Sequence, residues 1–96
     1  MPKGYWIAHN DVQDMEVYKA YLAGAAEPFA RFGANFLARG GQYLSPECEV
    51  PARNIIIEFP SYQAALDCYN CAEYQAASVF RKQASTGQLI IMEGVA

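Results

Sequence analysis

Between Arg53 and Ala77 the chain reads RNIIIEFPSYQAALDCYNCAEYQAA, and its apolar positions describe first a strand and then a helix. Ile55, Ile56 and Ile57, followed by Phe59, form a run that is apolar on both faces, with one carboxylate, Glu58, set inside it. Pro60 forbids further ladder hydrogen bonding, and Ser61 stands where it would cap a helix. The helical region continues through Ala65, Leu66 and Tyr69. Asn70 followed by Glu73 reads as an internal capping box, so the sequence predicts one helix ending near Tyr69 and another running to about Gln83.

Upstream, Tyr5–Asn10 (YWIAHN) has the aromatic and branched composition of a first strand. Asp14 is a good N-cap, and Glu16 follows it in the first turn, where the helix dipole favours a negative charge. Tyr18, Leu22, Ala25, Phe29 and Phe32 then recur as one helical stripe that ends naturally at Gly33. Pro28 lies inside that stripe, where its ring should clash with the carbonyl of Gly24, so a kink or broken turn is expected. Asn35–Leu44 (NFLARGGQYL) reads as a second strand interrupted at Gly40-Gly41, the mark of a bulge or a close backbone approach. Ser45–Ala52, with Pro46 and Pro51, is a loop; Asn54–Phe59 is the third strand and Gln88–Glu93 the fourth. The chain has no internal repeat and no low-complexity segment.

The order strand, helix, strand, strand, helix, strand predicts an α+β fold of the ferredoxin-like βαββαβ kind. Its antiparallel sheet has strands ordered four-one-three-two and both helical regions on one face. A single-layer antiparallel sheet usually alternates apolar and polar positions, because its other face is wet. Ile55–Ile57 and Leu89–Met92 do not alternate. The second face is therefore expected to be buried against another copy of the chain, as a two-fold homodimer.

Composition narrows the functional classes. The 96 residues suffice for a single domain, 1–96, and a composition 53% hydrophobic and 18% charged excludes disorder. The net charge of −3, with seven Lys and Arg scattered along the chain, supplies no basic stripe for nucleic acid. No apolar run approaches the roughly 20 residues of a membrane span, so no membrane partner is expected. The N-terminal MPKGYWIAHND lacks a signal-peptide core, and three cysteines without scaffold spacing suit a reducing compartment. A cytoplasmic location is the expectation.

The segments GYWIAH, FLARGG, IEFPSYQAAL and EYQAA resemble the domain-of-unknown-function family thirteen-thirty, across nearly the whole chain. That family belongs to the dimeric α+β barrel superfamily. The resemblance implies a dimer whose two sheets close into a barrel with the helices outside. Relatives in the superfamily include cofactor-free monooxygenases of polyketide quinones, muconolactone isomerases and haem-dependent chlorite dismutases. The chain departs from the family pattern at Asn35, where Arg is expected, at Cys71-Ala72, where Ser-Pro is usual, and at Met15, where Pro is common.

Candidate chemistry is sparse. Cys68-Tyr69-Asn70-Cys71 is a C-x-x-C, but Cys68 falls at a predicted helix C-terminus, where the dipole opposes thiolate formation. Only Cys48 and His9 remain to complete a zinc site, so no metal and no cofactor are expected. A hairpin around the 45–52 loop would set Arg39 about opposite Glu58, either as a structural bridge or as a polarised carboxylate serving as base or anchor. His9, the one histidine, is in phase with Tyr5 and Ile7, and Arg53 is expected beside it; it reads as a general base or as a hydrogen-bonded rim residue.

Trp6, Tyr18, Tyr21, Tyr69 and Tyr74 are the aromatic residues available to line a cleft between sheet and helices. Two readings follow. In one, the domain binds a small apolar or aromatic molecule through Trp6, Tyr21, Arg53 and Tyr69, with His9, Arg39 and Glu58 as the catalytic candidates of a cofactor-independent monooxygenase- or isomerase-like enzyme. In the other, it is a non-catalytic dimer for binding, sensing or assembly.

Overall fold

The computed structural model describes residues 2–96 as four strands and three helices. In chain order these are β1 (Gly4–Val12), α1 (Met15–Arg31), β2 (Asn35–Arg39), β3 (Arg53–Phe59), α2 (Tyr62–Asn70), α3 (Ala72–Ala84) and β4 (Ser85–Glu93). The sheet is antiparallel in the order β2-β3-β1-β4, which is the ferredoxin-like arrangement, and the three helices cover one face. Among the described residues no helix is long and apolar enough to cross a membrane.

The helix ends follow from local chemistry. Asp14 accepts from the Val17 N–H at 3.2 Å and opens α1, and Ser61 accepts from the Ala64 N–H at 3.0 Å and opens α2. Gly33, at φ 78°, closes α1. The Gly33 N–H reaches the Ala30 carbonyl and the Ala34 N–H the Phe29 carbonyl, a Schellman closure that needs a left-handed residue. The break between α2 and α3 falls one residue later than the capping-box reading. Cys71, not Asn70, caps α3, accepting from the Tyr74 N–H through its sulfur at 3.4 Å.

Three further expectations change. α1 runs unbroken through Pro28, which lies in its last turn and is buried, so the missing N–H costs one bond near an end that is capped anyway. The buried stripe of α1 is Tyr18, Tyr21, Ala25 and Pro28, while Leu22 is 42% exposed. β2 is short, ending at Arg39, because Gly40 at φ 72° turns the chain into a connection that lasts until Ala52.

The core lies between the helices and one sheet face, on Trp6, Ile55, Ile57 and Phe59. Trp6 is only 2% exposed, packs edge-on against Phe29, Tyr69 and Tyr74, and donates its indole N–H to the Ala65 carbonyl at 3.0 Å. The opposite face is uncovered and apolar across three strands: Ile7 pairs with Ile56 on one side and Ile90 on the other. Ile56, Ile90 and Met92 are 38%, 53% and 47% exposed there.

Candidate functional site

Strand parity decides what faces the helices. Trp6, Ala8 and Asn10 of β1 and Arg53, Ile55 and Ile57 of β3 share one side, and together with α1 and α3 they enclose a cavity of about 540 Å³. Its inner wall carries Trp6, Tyr18, Tyr21, Phe29, Phe36 and Tyr74, and the exposed Leu22, Ala26 and Ala30 of α1 form its rim. The volume suits a small organic molecule.

The cavity is not uniform. Trp6, Phe29, Phe36 and Ile57 make one end apolar. At the other end Asn10, which is buried, donates to the Tyr18 hydroxyl at 3.5 Å, and Arg53 pairs with Asn10 in register. The Arg53 guanidinium lies 5.7 Å from the Tyr18 ring centre, and that of Arg81 lies 5.9 Å from the ring of Tyr21; the two rings are 5.3 Å apart. Arg39 lines the cavity as well, over the Phe36 ring at 4.8 Å. A bulge between Phe36 and Ala38 puts it there: Phe36 pairs with Ile57 and Arg39 with Ile55, so both side chains reach the covered face.

Three of the four arginines in the chain therefore line one cavity, and none of its ten carboxylates does. Among the described residues these three arginines form no ion pair, and the Nε atoms of Arg53 and Arg81 are buried without an acceptor. Asp11, beside Arg53 in a neighbouring shallow cleft, instead accepts from the Ala52 N–H at 3.1 Å. Arg31 behaves differently: on the surface it joins Glu73 of α3 at 2.7 Å and Glu27 at 3.6 Å. The Tyr21 and Tyr74 hydroxyls meet at 3.0 Å in the cavity wall. Burial pushes the Tyr21 hydroxyl well above the ordinary tyrosine range and raises that of Tyr74, for which the Tyr21 hydrogen bond and nearby Arg81 partly oppose the shift.

Residues 3–95 match the family described as "Domain of unknown function (DUF1330)". The chain belongs to that family. No curated protein matches the sequence. Among solved structures, a protein of unknown function from Rhodopseudomonas palustris is 20% identical, with a TM-score of 0.74 over 99% of this chain and 84% of that one. SnoaB, a cofactor-independent oxygenase from Streptomyces nogalater, is 12% identical, with a TM-score of 0.67 over 100% and 96% of the two chains. A dimeric protein of unknown function with a ferredoxin-like fold, from Bacteroides fragilis, is 13% identical at a TM-score of 0.52 over 95% of each chain. The DUF1330 chain thus shares the ferredoxin-like fold of these structures.

In this DUF1330 chain the residues singled out from sequence divide between the two sheet faces. Trp6, Tyr21, Arg39 and Arg53 line the cavity. Tyr69 stacks behind Trp6, at 6.0 Å between ring centres, without reaching it. His9 and Glu58 lie on the uncovered face. His9 Nδ1 hydrogen-bonds the Asn54 side-chain oxygen, and Glu58 accepts from the Tyr5 hydroxyl at 3.4 Å. The expected Arg39–Glu58 pair is not formed, because the bulge and the long 40–52 connection set Asn35 opposite Glu58 and Arg39 opposite Ile55. Arg53 neighbours His9 along the backbone, but their side chains take opposite faces. Cys68 is fully buried and its thiol is pushed up to about 12 by desolvation.

Asn10, Phe29, Phe36 and Arg81 are cavity residues that the sequence reading did not single out as a site. Arg81 carried a usable signal: Tyr74, Ala77, Ser78 and Arg81 recur at helical spacing on one side of α3.

Proposed function

We propose that this DUF1330 protein binds a small apolar or aromatic molecule in the cleft between sheet and helices, as a two-fold homodimer joined through its uncovered sheet faces. The observation that carries the reading is the aromatic cavity of about 540 Å³, with Asn10, Arg53 and Arg81 gathered around Tyr18 and Tyr21 toward one end. In this proposal Trp6, Tyr21, Arg39 and Arg53 are binding residues, joined by Tyr18, Tyr74 and Arg81. His9 and Glu58 belong to the dimer face, beside the row Ile56, Ile7, Ile90 that a second copy would cover. The B. fragilis neighbour, described as dimeric, supports that occupant.

The likeness to SnoaB brings cofactor-independent oxygenase chemistry forward as one enzymatic form of the proposal. Such chemistry would use the Tyr21 and Tyr74 hydroxyls and Arg81 to stabilise negative charge on a substrate oxygen. A second reading, binding without turnover, is favoured by the lining itself, which holds no His, Lys, Cys or carboxylate to take a proton. The test is a thermal-shift screen of aromatic acids, quinones and lactones, followed by assays for oxygen consumption with each ligand that binds. A bound ligand at 100 times its Kd adds about 2.7 kcal/mol, a rise of roughly 10–20 °C for a domain of this size. If no compound in the panel raises the transition, the cavity is not a small-molecule site.

A further inference from the structure

We propose that the ligand of this cavity is an amphipathic anion: a planar apolar body that ends in a carboxylate or an equivalent charge-delocalised oxygen group. The inference rests on the small-molecule reading above and names the chemical class. Its first support is the polarity of the cavity. Trp6 and Asn10 lie four residues apart on β1, so the apolar and polar ends are separated by about 13 Å along the strand. A ligand that fills the length must be apolar at the Trp6 end and polar at the Asn10 end.

The sign of the polar end follows from its charges. Arg53 and Arg81 present guanidinium groups over adjacent tyrosine rings, Arg39 stands nearby, and no carboxylate lines the space. A cationic ligand would meet only like charge. A neutral apolar ligand would displace solvent from the arginines and leave their charge uncompensated in a drier site, a costly outcome. An oxyanion instead supplies the acceptors that the buried Nε atoms of Arg53 and Arg81 lack. Guanidinium groups suit the task, since their planar fork matches a carboxylate and their faces stack on aromatic rings. The pairing of Arg31 with Glu27 and Glu73 shows what a structural arginine looks like in this chain. The cavity arginines have no such partner.

The test compares 2-naphthoate and anthracene-2-carboxylate with their primary amides, which keep shape and remove charge, by titration calorimetry on the intact protein. The acids are expected to bind at least about tenfold more tightly than the amides, the scale of one charge-assisted hydrogen bond. Arg81→Met and Arg53→Met should each erase most of that preference, bringing the affinity of each acid down toward that of its amide. Where a Met variant loses its fold, judged by circular dichroism, the wild-type comparison decides alone. Equal binding of acid and amide overturns the anion inference and leaves the small-molecule reading standing. If neither acids nor amides bind, and no neutral compound raises the thermal transition, both fall together.

Discussion

The two faces of this sheet are built from alternate residues of the same strands, yet they differ in kind. On the covered face Trp6, Phe36 and Phe59 stand among smaller side chains and stop short of filling the space beneath the helices, leaving a cavity lined by three cations that form no ion pair among the described residues. On the uncovered face they are aliphatic and flat, and the polar groups His9 and Glu58 already have partners in Asn54 and Tyr5. Satisfied polar groups within an apolar surface suit a protein–protein contact, where an unpaired charge would be costly. Unsatisfied donors at the end of a concave aromatic space suit a ligand. The difference separates assembly from binding, and each can be broken without the other.

The largest effect is expected from Trp6→Ala. It removes a fully packed indole and its hydrogen bond to Ala65, and should cost about 3–5 kcal/mol in denaturant unfolding. A loss below about 1 kcal/mol would mean that the covered face is not the core. Ile56→Asp, one residue from the buried Ile57, should leave the fold intact and turn the dimer into a monomer in sedimentation at micromolar concentration. If wild type sediments as a folded monomer, the uncovered face is not an interface. Tyr21→Phe should cost about 1–3 kcal/mol, because it strands the buried Tyr74 hydroxyl.

The same tyrosines give a pH dependence. Both hydroxyls ionise less readily in the folded state, whereas in the unfolded chain tyrosine ionises near 10.0. Stability is then full below about pH 10 and falls as the pH rises above it, since only the unfolded state releases these protons. Tyr21→Phe should flatten that alkaline decline, and an unchanged slope would show that Tyr21 is not shielded.

Much of the fold was legible because its punctuation is local. Asp14, Ser61 and Gly33 each act within a few residues of themselves, and the strand order follows from the alternation of element types. β4 begins at Ser85, earlier than expected, because Ser85-Thr86-Gly87 carries turn-like composition that pairing with β1 overrides. The site was half legible. Parity alone separates His9 from Trp6 on β1 and Glu58 from Arg53 on β3, so a pocket holding all four was never available to a regular sheet. Arg39 was harder: it reaches the cavity only through the bulge after Phe36, which no periodicity announces. Arg81 stands in the last turn of a helix, where any basic residue complements the dipole, so its type and place do not announce its position against Tyr21.

The most direct measurement of the division between the faces is a two-dimensional NMR titration of the protein with 2-naphthoate. Shifts are expected to gather on the Trp6 indole N–H and on Tyr21, Tyr74 and Arg81, with the Ile7, Ile56 and Ile90 methyl groups unmoved. Shifts concentrated on those isoleucines, with the Trp6 indole unchanged, would contradict the account and move the binding site to the uncovered face.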